Sequence, residues 1–175
     1  MAPRAFIVRH GETEWSLNGR HTGTTELPLT ENGERRIQAT GKALVGEDRL
    51  IVPSKLAHIY VSPRRRAQRT LELLNMGCRE KLPWQEKRGH EDDACRTEAK
   101  VQITADIREW DYGDYEGLTS AQIREQRKAQ LGGDGGWDIW TDGCPGGEYE
   151  KLPSETCVSL ADFIVSDLPS RSQSA

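Results

Sequence analysis

In its N-terminal half the sequence twice follows a short apolar stretch with a segment of helical periodicity, and that alternation constrains the fold more than any other feature. Residues 5–8, Ala-Phe-Ile-Val, are uninterrupted apolar positions with aromatic and β-branched side chains, the pattern of a buried strand. Thr30 can then cap a helix that carries Ile37, Gly41, Leu44 and Val45 on one face. A second strand is predicted over residues 57–61. Pro63 suits the first turn of a helix with Ala67, Thr70, Leu71 and Leu74 along one stripe. Strand, helix, strand, helix in that order predicts a layered α/β fold with a partly parallel sheet.

Downstream the pattern loosens. Residues 75–100 are charged and poor in periodicity, and they predict a long surface excursion. Residues 101–107 suit another strand. Thr119-Ser120-Ala121-Gln122 fits a capping box, so a helix is expected to start there and to end near Gly132-Gly133. Ser154 can cap a short helix with Val158, Ala161, Ile164 and Leu168 on one side, stopped by Pro169 and packed on the body.

At 175 residues the chain fits a single domain. Its net charge of −4 shows no global bias toward nucleic acid or membranes, so basic residues matter only where they cluster. Cys78, Cys95, Cys144 and Cys157 form no C-x-x-C pair and read as free thiols. No apolar stretch reaches about 18 residues, so no transmembrane helix is expected. The N-terminus lacks a signal-peptide core, which makes the cytosol the expected location.

Three segments carry the chemistry. Arg9-His10-Gly11 follows the first predicted strand, at the carboxyl end where α/β folds gather ligands. A neutral imidazole is a competent nucleophile toward phosphorus, Arg9 offers a bidentate grip on phosphoryl oxygens, and Gly11 lets backbone approach a phosphate. Ser62-Pro63-Arg64-Arg65-Arg66-Ala67 again sits where a strand becomes a helix, and a helix N-terminus favours anions. Arg108-Glu109-Trp110-Asp111-Tyr112-Gly113-Asp114-Tyr115-Glu116-Gly117 offers a carboxyl that can protonate a leaving alkoxide. Taken singly, each has a plainer reading: an incidental histidine, a solvated charge run, a surface glutamate. Together they propose a nucleophile, an anion grip and an acid. A nucleic-acid role for Arg64, Arg65 and Arg66 lacks the interleaved aromatics and broad basic surface it would need.

Val8-Arg9-His10-Gly11-Glu12-Thr13-Glu14-Trp15 resembles the signature of the histidine phosphatase (phosphoglycerate mutase-like) superfamily. Residues 22–30 are similar to its phosphate-side loop, residues 62–70 to its second arginine motif, and Glu109 with Tyr112-Gly113 and Glu116-Gly117 to its acid motif. Residues 108–117 and 137–144 look most like the sedoheptulose bisphosphatases of fungi. The resemblance implies a three-layer sandwich with a mostly parallel sheet flanked by helices. It implies a phosphatase of small phosphorylated sugars acting through phosphohistidine, with neither metal nor organic cofactor. His10 then matches the nucleophile, Arg9 and Arg66 the phosphate-pocket arginines, and Glu109 the proton donor. Thr22, Gly23 and Thr24 would line the substrate side, with Arg108 and Tyr112 beside them.

The family also places a second histidine in a later strand, whereas the histidines here are His10, His21, His58 and His90. The expectation is therefore a partial domain over residues 1–148, incomplete at its C-terminus, with a tail unlike the family over 149–175. Loss of such an imidazole costs about 10² to 10⁴ in rate, which predicts an impaired phosphatase. The alternative is a non-catalytic chain that binds phosphosugars or serves as an interaction module.

Overall fold

A computed structural model of the chain describes residues 4–86 and 96–148. The elements run α1 (Glu14–Asn18), α2 (Glu31–Leu44), β1 (His58–Val61), α3 (Arg65–Leu74), β2 (Lys100–Ile103), α4 (Ser120–Leu131) and α5 (Ile139–Asp142), with short 3-10 turns between them. β1 and β2 pair in parallel, with His58 opposite Lys100 and Val61 opposite Ile103. Parallel neighbours need a crossover, and α3 begins it, packed against β1 on one side and α2 on the other. This is the layered α/β arrangement that the strand–helix alternation predicts.

Local chemistry sets the helix boundaries. The Thr30 hydroxyl accepts from the Gly33 N–H and starts α2. Thr119 and Gln122 bond reciprocally and start α4, which stops at Gly132. α3 buries Thr70, Leu71, Leu73 and Leu74, and with them the charged Arg66.

Several expectations change. Residues 5–8 are not a strand, and Ile7 and Val8 stand 78% and 47% exposed. A strand exists only through ladder hydrogen bonds to a neighbour, and no described strand lies beside this segment. Pro63 precedes α3 rather than opening it, because Arg64 takes an extended cap conformation with its N–H on Ser62 Oγ. On α2, Gly41 and the capping Val45 turn inward while Leu44 faces out. The strand predicted over 101–107 ends at Ile103, since the Thr104 hydroxyl accepts from the Asp106 N–H and opens a 3-10 turn. The supposed surface excursion supplies core: Met76, Leu82 and Ala99 are buried, and Trp84 donates to Glu72 at 2.7 Å.

Two hydrophobic cores result. The first, built on Val45, Ile51, Val61, Leu71, Leu74, Met76 and Leu82, lies among α2, α3 and the sheet. The second gathers Tyr115, Ile123 and Cys144 under Trp110, Tyr112 and Trp137. Neither Cys78 nor Cys144 is in a disulfide. Among the described residues no helix is long and apolar enough to cross a membrane. Cys95, Cys157, the tail over 149–175 and the helix predicted from Ser154 lie outside the described residues.

Candidate active site

The site is assembled from backbone that has no regular structure, pinned by a buried arginine and a half-buried glutamate. Arg66 is 1% exposed and donates through Nη1 to the Thr25 carbonyl and through Nη2 to the carbonyls of Thr22 and Gly23, at 3.0 to 3.1 Å. From the opposite side the Glu116 carboxylate accepts from the N–H groups of Gly23 and Thr25 at 2.9 to 3.0 Å. The loop over residues 22–25 is thus held by a cation on its carbonyls and an anion on its amides. Charge-assisted bonds of this kind are about twice as strong as neutral ones. Gly23 has no alternative here, because a Cβ would sit 2.0 Å from the Trp110 carbonyl oxygen.

His10 is fastened separately. The Gly11 N–H donates to Thr70 Oγ1 at 2.9 Å, and that hydroxyl donates to the Arg66 carbonyl at 2.7 Å, so α3 carries both halves of the site. Glu12 accepts from Thr30 and Asn32 at the start of α2, which holds its carboxyl below the usual range. A Cβ on Gly11 would sit 2.9 Å from Ile37 Cγ1 and 3.2 Å from Leu29 Cδ1, so close packing there also favours glycine.

The His10 ring makes one diagnostic contact, Nδ1 to the Gly11 carbonyl at 2.7 Å. A carbonyl only accepts, so Nδ1 carries the proton and Nε2 keeps its lone pair. Burial pushes this imidazole below the ordinary value of 6.5; the Gly11 bond opposes the shift, Arg66 and Arg9 reinforce it, and Glu109 opposes it. The structure therefore brings His10, Arg9, Arg66 and Glu109 within electrostatic reach of one another. Glu109 also acts on His21, which burial lowers, and on Tyr112, whose phenol burial pushes up to about 12. The Tyr112 and His21 rings meet at 4.7 Å, tilted by 31°.

The other candidates behave differently. Thr22, Gly23 and Thr24 are in the loop as expected, yet their carbonyls are spent on arginines, Thr24 on Arg64 at 3.2 Å. Arg108 pairs with Glu148 at 2.6 Å, which raises its pKa. The buried Nε atoms of Arg64 and Arg66 have no hydrogen-bond partner among the described residues. Glu116 and Thr70 were not foreseen as site residues. Their partners lie 93 and 59 positions away, and no local pattern reports such a contact. Among the described residues no group of His, Cys, Asp and Glu side chains converges as a metal site would.

Residues 5–154 match the sequence profile of the Histidine phosphatase superfamily (branch 1). The chain belongs to the histidine phosphatase superfamily. It is 39% identical over 149 residues to a sedoheptulose 1,7-bisphosphatase of Saccharomyces cerevisiae, a match covering 85% of this chain and 50% of the yeast protein. It is 38% identical over 168 residues to an acid phosphatase of Mycobacterium tuberculosis, covering 96% of this chain and 66% of that one. A solved structure of an open reading frame product of Mycobacterium tuberculosis superposes with a TM-score of 0.53 at 35% identity, covering 79% of this chain and 54% of its own. The chain thus spans about half to two thirds of the length of these histidine phosphatases.

Proposed function

We propose that this chain carries the phosphoryl-transfer site of a phosphatase acting on small phosphorylated sugars of the cytosol. The observation that carries the reading is the His10 tautomer: Nδ1–H is committed to Gly11, and Nε2 is lone-paired beside Arg9, Arg66 and Glu109. In this reading Nε2 attacks phosphorus, the P–O bond to the sugar breaks, and the Glu109 carboxyl gives its proton to the leaving oxygen. Water then attacks the phosphohistidine, its proton passing to the Glu109 carboxylate as the N–P bond breaks. Arg9 and Arg66 hold the phosphoryl oxygens throughout in this reading. Similarity to a sedoheptulose 1,7-bisphosphatase supports a sugar phosphate as substrate.

A second reading, phosphosugar binding without turnover, is favoured by one observation. Most of the Arg66 donors are already committed to the loop carbonyls. Phosphate release from sedoheptulose 1,7-bisphosphate, measured beside a His10→Ala control, separates the two. Turnover that vanishes in the control and retains its kcat/KM below pH 6.5 supports the nucleophile reading, because a lowered imidazole stays neutral there. A folded chain that binds the ester but releases no phosphate supports the second.

A further inference from the structure

A cavity of about 360 Å³ opens beside the candidate site and is lined by His21, Tyr112, Arg124, Trp137 and Trp140 together with α4 and α5 residues. Another cavity, of about 600 Å³, lies between α2, α3, residues 75–85 and Arg96 and shares no lining residue with the cluster. The smaller one is connected to the chemistry by two of its walls. His21, in its wall, directly precedes the clamped loop over 22–25, and His21 and Tyr112 both feel the Glu109 carboxylate, as His10 does.

The lining has a division of labour. His21 lies tilted against Tyr112 and meets Trp137 edge-on at 5.3 Å, which makes an aromatic wall. Most of its polar groups are already satisfied within the protein. His21 Nε2 bonds with Ser120, Trp137 Nε1 donates to the Gly143 carbonyl, and Asp138 accepts from the Trp140 N–H. Arg127, one turn along α4, is paired with Asp142 at 3.0 Å. Arg124 has no side-chain hydrogen bond or ion pair with any described residue. An exposed Trp140, 69% accessible, stands on the same rim. Aromatic faces with one uncommitted guanidinium suit a ligand that has C–H surface and a terminal anion.

Taking the phosphosugar reading above as its basis, we infer that this cavity is a second anion subsite. It takes the non-reacting phosphate of a bisphosphorylated sugar on Arg124 while the carbon skeleton lies along Trp137 and Tyr112. Arg124 would thereby separate bisphosphate from monophosphate substrates, a discrimination that the His10 cluster alone does not supply.

The test is a set of binding titrations on the full chain, followed by tryptophan fluorescence and repeated by calorimetry. The ligands are inorganic phosphate, sedoheptulose 7-phosphate and sedoheptulose 1,7-bisphosphate. The unaltered chain is expected to bind the bisphosphate about tenfold more tightly than the monophosphate, the size of one added charge-assisted contact. In Arg124→Gln that ratio should fall to about one, and Arg124→Lys should restore part of it. Arg35→Gln, an exposed control on α2, should leave the ratio as it was. An unchanged ratio in a folded Arg124→Gln protein overturns the subsite even if inorganic phosphate still binds. Absent phosphate binding with an Arg124-dependent bisphosphate affinity overturns the His10 pocket and keeps the subsite. Binding of none of the ligands overturns both.

Discussion

Residues 5–8 lead into Arg9 and His10 and residues 22–25 form the clamped loop; neither is helix or strand, yet they are held in opposite ways. The loop over 22–25 is gripped on its carbonyls by Arg64 and Arg66 and on its amides by Glu116. The segment over 5–8 has an apolar sequence ideal for a strand but leaves Ile7 and Val8 exposed. Polar loop backbone becomes rigid when buried charges on distant elements satisfy it. Apolar backbone does not become a strand until another strand offers its hydrogen bonds. Order in this site therefore follows the supply of partners more closely than it follows hydrophobicity.

The strongest way to break the comparison is to remove the cation from the loop. Arg66→Ala leaves the carbonyls of Thr22, Gly23 and Thr25 without donors and is expected to cost about 3–5 kcal/mol, the range for breaking a buried charged network. The shift of the denaturant midpoint measures it, and a cost near zero would mean the loop is held by something else. Glu116→Gln is a finer cut. It keeps the shape but replaces one acceptor by a donor facing N–H groups, so about 1–3 kcal/mol should be lost. Ile7→Thr addresses the other region and should change stability by no more than about 0.5 kcal/mol, as exposed positions do. A loss of several times that would show Ile7 to be covered in solution, and the contrast between the two segments would disappear.

Much of the architecture could be read directly from the chain. Thr30 and the pair Thr119 and Gln122 start helices where their capping chemistry predicts, because a cap depends on groups within one turn. The stripe on α3 was legible for the same reason, and so were the motifs that carry His10, Arg66 and Glu109. Burial of Met76, Leu82 and Ala99 was not. Their stretch looks polar overall, and only contact with α3 and the sheet removes them from water. Arg108, which the family resemblance put on the substrate side, pairs with Glu148, a partner 40 positions away that no local pattern reports.

By itself the sequence determined the local starts and stops, the family and the identity of the groups able to do phosphoryl chemistry, since these depend on residue type and short spacing. Only the tertiary structure decided which of them meet. Glu116 reaches Gly23, Thr70 reaches Gly11, and Arg124 joins His21 and Tyr112 around one cavity, all across separations that no periodicity encodes. It also decided that residues 5–8 are not a strand. A helix satisfies its own backbone within a few residues, whereas a strand or a clamped loop depends on partners that the fold alone brings near.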